Sequence, residues 1–137
     1  MESQSEFAYI LACGDPKIRA ALQQIFDERF GPENYFWCPE LGGVKNLVLP
    51  ERVSDTEYVI RKMKTAALVH PFSHIIFVNH SDCGAYRLAG HAFADARSEE
   101  EYHCGQLGKA VAKIKKAFPN AVVETHYFLK AEQKMAW

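Results

Sequence analysis

Apolar residues fall in two kinds of run along this chain. Residues 7–13 (FAYILAC) are apolar throughout, the pattern of a strand buried on both faces of a sheet. Residues 35–39 (YFWCP), 74–80 (HIIFVNH) and 121–129 have a similar character and read as the second, third and fourth strands. Between them the apolar positions recur at helical spacing. Ile18, Ala21, Leu22, Ile25 and Phe26 mark one face of a helix that opens at Asp15-Pro16 and stops at Gly31-Pro32. Asp15 is its N-cap and Pro16 its first helical residue. Ser54 with Glu57 forms a capping box for a helix reaching about Val69. Cys83-Gly84 begins a short helical stretch to about Phe93. Ser98 with Glu101 is a second capping box, ahead of Tyr102, Leu107, Val111, Ile114 and Phe118. The tail to Trp137 has no decided pattern.

Strands alternating with helices predict an α/β fold of three layers: a mainly parallel four-stranded sheet flanked by helices. With no repeat, low-complexity tract or linker, residues 1–137 read as a single domain. In such a sheet the functional crevice lies beyond the carboxyl ends of the strands. Three metal-ligating side chains stand at those ends. Cys13 closes the first strand, His80 closes the third, and Cys83 follows His80 after two residues. A right-handed crossover brings the two strand ends side by side. Thiolate and imidazole suit zinc, and a closely spaced ligand pair with one distant ligand is a usual zinc arrangement. Three protein ligands leave a fourth position for water or substrate, the mark of a catalytic zinc. Asp15 either fills that position and closes the site, or turns away and accepts a hydrogen bond from the water.

Composition narrows the partners. Apolar residues make up 48%, charged residues 24%, and the net charge is -1, so nothing calls for nucleic acid or an anionic membrane. There is no 18-residue apolar run, so no membrane-spanning helix is expected. Residues 1–6 are polar and acidic, unlike a signal peptide, and a cytoplasmic location is expected. In that compartment the four cysteines are thiols or metal ligands rather than disulfides. Cys38 fits a core position. His103 and Cys104 do not form a metal pair, because adjacent helical residues do not face one point. The apolar faces and sheet edges of so short a chain predict self-association.

The segments Cys13-Gly14-Asp15-Pro16-Lys17 and Asn79-His80-Ser81-Asp82-Cys83-Gly84-Ala85 resemble those of the β-class carbonic anhydrases. That family carries Cys-x-Asp-x-Arg after the first strand and His-x-x-Cys after the third, often as Gly-His-Thr-Asp-Cys-Gly. Glu40-Leu41-Gly42-Gly43 stands where the family has Arg-Asn-Ala-Gly. The resemblance spans roughly residues 7–129. It implies one zinc ion (Zn2+) per chain on Cys13, His80 and Cys83, in a homodimer or an assembly of dimers. It also implies a lyase that hydrates CO2 reversibly to bicarbonate by zinc-bound hydroxide. On this reading Asp15 orients the hydroxide, Lys17 takes the place of the arginine that pairs with Asp15, and backbone near Gly42 and Gly43 holds substrate oxygens. The same attack serves COS or CS2. The chain is short for the family, and an N-terminal helical arm is not expected. Two departures stand out. Lys17 lacks the bidentate fork of arginine, and Glu40-Leu41 replaces Arg-Asn. They leave a second reading open: a zinc-binding domain without catalysis that serves binding or regulation. A third, a metal-free domain with redox-active thiols, lacks the Cys-x-x-Cys spacing that favours it.

Overall fold

Strand β1 (Ala8–Ala12) is buried at every residue, and strand β3 (His74–His80) lies beside it, buried at all but His74. This is what unbroken apolar runs dictate. Neither face can meet water, so helices must cover both. The computed structural model describes residues 6–137; residues 1–5, most of the polar opening on which the cytoplasmic reading rests, lie outside the described residues. Strands β2 (Tyr35–Pro39) and β4 (Val122–Leu129) flank the central pair, and all three contacts are parallel. A further strand, β5 (Lys134–Met135), pairs antiparallel with β4. The sheet is therefore mixed and five-stranded, in the order β2-β1-β3-β4-β5, rather than four-stranded. Two residues are too few to show a period. The reversal that makes β5 depends on Gln133 at φ 54 and on the Ala136 N–H reaching the Tyr127 carbonyl at 2.7 Å.

Side chains alternate across the sheet. Ala8, Ile10 and Ala12 of β1 join Ile76 and Val78 of β3 under helix α1 (Pro16–Phe30), which contributes Ile18, Leu22, Phe26 and Phe30 at four-residue spacing. Tyr9, Leu11, Ile75 and Phe77 face the other way, into a second cluster. That cluster is completed from helices α2 (Lys45–Val48), α3 (Val53–Val69) and α5 (Ala96–Ala117), by Leu47, Val59, Met63, Leu107, Ala110 and Ile114. Each fully buried side chain of this size contributes about 1.5–3 kcal/mol by leaving water. The result is three layers with a core on each side of the sheet.

Helix starts differ from the capping boxes read in the sequence. Helix α3 starts one residue before Ser54, and the Asp55 carboxylate takes the N–H of Arg52 at 3.2 Å. In α5 the cap is Asp95, which accepts the Ser98 N–H at 2.7 Å, so Ser98 lies inside the first turn. In both places an aspartate carboxylate binds a backbone N–H at a helix start that lies ahead of the serine, a charge-assisted bond. Helix α4 (Gly84–Leu88) is shorter than expected, since Gly90 at φ 92 turns the chain before Phe93. No helix among the described residues is long and apolar enough to cross a membrane.

Candidate metal centre

In the parallel register Ala12 of β1 sits opposite Val78 of β3, so the strands end nearly level. Cys13 leaves β1 where His80 leaves β3. Asp82 at φ 52 turns the chain, and Cys83 returns as the residue preceding α4. Cys13, His80 and Cys83 are 3%, 1% and 4% exposed, and their ligand atoms all lie within 4.8 Å of one another. The two sulfurs are 3.9 Å apart. Tetrahedral zinc with bonds of about 2.3 Å to sulfur would hold two thiolates about 3.8 Å apart.

The imidazole points the same way. His80 Nδ1 lies 2.6 Å from the Ser81 carbonyl oxygen. A carbonyl only accepts, so Nδ1 carries the hydrogen and Nε2 the free lone pair. His80 Nε2 is buried with no hydrogen-bond partner. An unpaired buried acceptor costs about 1–3 kcal/mol, which a metal ion would remove. Cys13 Sγ receives the Gly42 N–H at 3.3 Å, and the backbone N–H groups of Tyr86 and Ala85 at the start of α4 favour the Cys83 thiolate. Between the two thiols, the Cys83 S–H donating to Cys13 is the main influence that holds Cys13 below its ordinary range. The same contact, with burial, pushes Cys83 up. One thiolate is thus favoured without a metal, and a cation is needed to favour the second. Buried donors with these elements and this spacing fit zinc.

Asp15 is held on both oxygens. Oδ1 accepts the Lys17 N–H at 2.9 Å as the cap of α1, and Oδ2 lies 2.7 Å from Lys130 Nζ. Burial opposes its ionisation, yet the Lys130 ammonium and the Lys17 N–H together keep its carboxyl below the usual range. The ammonium beside Asp15 is therefore that of Lys130, not of Lys17, whose residue is exposed and meets Asp15 through its backbone. The cause is the cap itself, which spends Oδ1 on backbone and leaves Oδ2 facing the turn after β4. Lys130 is fixed there by its own N–H on Ser81 Oγ at 2.8 Å, and Gln133 Nε2 clips the carbonyls of Lys17 and Lys130 at 2.9 and 2.8 Å. The sequence did carry a signal for it. A basic residue at the carboxyl end of the strand next to β3 opens on the same crevice.

The glycine loop also differs from expectation. The Gly42 N–H goes to Cys13 Sγ, and the Gly43 N–H to the Glu40 carbonyl at 2.8 Å, so both are engaged within the chain rather than open to substrate oxygens. Glu40 pairs with Lys62, and Leu41, 68% exposed, sits over Gly14. A cavity of about 500 Å³ opens between Cys13, Gly14, Arg19, Gln23, Trp37 and Pro39. His103 and Cys104 do diverge: the first is buried, the second exposed.

A family model described as "Putative carbonic anhydrase" matches residues 3–136. The chain belongs to this carbonic anhydrase family. Among solved structures it is similar to a carbonic anhydrase from Streptococcus mutans, at 16% identity and TM-score 0.60 over 98% of this chain and 84% of that one. It is similar to the β-carbonic anhydrase CafA of Aspergillus fumigatus, at 14% identity and TM-score 0.51 over 97% and 75%. It is also similar to one of two tetrameric β-carbonic anhydrases from Sordaria macrospora, at 14% identity and TM-score 0.54 over 97% and 80%. Among curated proteins none matches the chain. At these identities the likeness establishes the fold, an α/β sheet of β-carbonic anhydrase type.

In this carbonic anhydrase family member the three converging donors could hold one metal ion. Protein loaded with zinc and desalted is expected to retain one ion per chain by elemental analysis, and His80→Ala to retain almost none. Wild-type protein that emerges without zinc would refute the site.

Proposed function

We propose that this chain is a zinc-dependent lyase that hydrates CO2 reversibly to bicarbonate. The observation that carries the reading is the Asp15–Lys130 pair at 2.7 Å, beside three converging donors. It supports a site in which the carboxylate stays off the metal and the fourth position stays open to water.

Zinc, when bound by Cys13, His80 and Cys83, supplies the Lewis acidity that makes water a nucleophile near neutral pH. The two thiolates would bring two negative charges to the centre, more than neutral imidazoles do, so the rise of activity with pH would come later than at a three-histidine site. Asp15, kept ionised by Lys130, would accept a hydrogen bond from the attacking water and so turn its lone pair toward the carbon of CO2. Water added to CO2 in this way would form one C–O bond, give up one proton to solvent and leave as bicarbonate. Lys17 serves through the backbone N–H that fixes Asp15 Oδ1, and Gly42 through the N–H on Cys13. Gly43 lets the loop lie against β3. Leu41, Trp37 and Pro39 offer CO2 an apolar wall, which suits a substrate without a dipole.

A homodimer belongs to the same reading. Strand β2 is a sheet edge with half-buried side chains, and the Sordaria macrospora neighbours are tetrameric. A solution mass of at least two chains is expected; a strictly monomeric mass contradicts it.

Stopped-flow CO2 hydration by the zinc-loaded protein tests the chemistry. The rate should exceed buffer and rise from about pH 7 to about pH 9, because the active form has lost a proton. Lys130→Met, which frees Asp15, should cost about 100-fold, as loss of orientation does. Lys17→Met keeps the backbone N–H and should stay within about threefold, since exposed side chains away from the reacting groups have small effects. Zinc-loaded protein with no rate above buffer would refute CO2 hydration and leave the non-catalytic zinc domain or an attack on COS or CS2.

A further inference from the structure

Asn79 immediately precedes His80 on β3 and is 1% exposed. Its amide is used at both ends. Oδ1 accepts the Val44 N–H at 3.1 Å, and Nδ2 lies 2.9 Å from His103 Nδ1 on α5. The orientation is decided by chemistry. The backbone N–H of Val44 can only donate, so it faces the amide oxygen, and the nitrogen is left for the imidazole. His103 Nδ1 must then carry a lone pair, which makes the ring neutral. His103 is fully buried among aromatic rings, with Tyr86 at 4.8 Å and Tyr127 at 5.4 Å between centroids.

The loop rests directly on this amide. A Cβ added to Gly43, whose φ is +60, would lie 2.3 Å from Asn79 Oδ1 and 2.9 Å from the Val78 carbonyl. One residue earlier, the Gly42 N–H reaches Cys13 Sγ at 3.3 Å. His103, Asn79, the backbone of Gly43 and Val44, Gly42 and the Cys13 sulfur thus form one unbroken series of contacts.

We infer that Asn79 and His103 are positioning residues for the metal centre: they pin residues 40–44 so that the Gly42 N–H stays on Cys13, and so set how tightly Cys13, His80 and Cys83 hold their ion. The inference rests on the metal site proposed above. Groups that orient metal ligands carry 10- to 100-fold of affinity in general, about what is expected here. His103 acts at one remove, through Asn79, and touches neither ion nor substrate.

Cobalt(II) in place of zinc tests this, because its sulfur-to-metal charge-transfer absorption reports on the thiolates. Affinity is read by competition with a chromogenic chelator. His103→Phe keeps a ring in the aromatic cage but gives Asn79 nothing to bond. It should weaken cobalt binding about tenfold or more and move the absorption to longer wavelength, since a thiolate without its N–H bond gives up an electron more easily. His103→Gln, whose oxygen can accept from Asn79, should recover most of both. In metal-free His103→Phe, hydrogen exchange at the Gly42 amide should quicken, a readout that does not depend on the ion. Unchanged affinity, spectrum and exchange in His103→Phe would overturn the inference and leave the pair a buried structural contact. Wild-type protein that binds no cobalt would overturn the metal reading and this one with it.

Discussion

The parallel pairing of β1 with β3 is the constraint on which the site depends. Ala12 opposite Val78 sets how far each strand runs before it leaves the sheet. Both strands are buried on both faces, so a shift of register would break the fit of two cores at once rather than one. With the register set, Cys13 and His80 emerge side by side, and a turn through Asp82 suffices to bring in Cys83. The polar atoms left there are not those of a settled core. Two buried sulfurs close enough to share a proton, and an imidazole nitrogen with no partner, carry a desolvation cost that a cation would relieve.

The surroundings answer the same need. The Gly42 N–H reaches the Cys13 sulfur, backbone N–H groups at the start of α4 favour the Cys83 thiolate, and the Asp15 carboxylate is occupied twice over, by the cap of α1 and by Lys130. A lysine can replace an arginine in such a pair only if it is held, since it lacks the rigid fork. Here Ser81 Oγ fixes its backbone, Gln133 ties its carbonyl to that of Lys17, and the side chain is left 18% exposed. The short strand β5 makes this possible, because the reversal at Gln133 is what brings the glutamine back across the mouth of the crevice.

What could be read from the sequence was what depends on neighbours along the chain. The apolar runs of β1 and β3 and the four-residue stripe of α1 are local patterns, and each became the expected element. So did the Asp15 cap, whose acceptor and donor are two residues apart. Cys13, His80 and Cys83 were legible because strand ends in a parallel sheet converge. Lys130 was missed because 115 residues separate it from Asp15, and only the adjacency of β3 and β4 joins them. The fate of the Gly42 N–H was missed for a related reason. A glycine reports that backbone approaches something closely, not whether a thiolate or a substrate is what it approaches. The boxes at Ser54 and Ser98 failed because each helix starts ahead of its serine, at an end where an aspartate carboxylate binds a backbone N–H.

The fourth position of the metal separates an open site from a closed one, and the crystal structure of the zinc-loaded protein at neutral pH measures it directly. The expected result is zinc on Cys13 Sγ, His80 Nε2 and Cys83 Sγ with a solvent oxygen completing the tetrahedron, while Asp15 Oδ2 remains on Lys130. Asp15 bound to the zinc with Lys130 released, or zinc absent from these three residues, would contradict it.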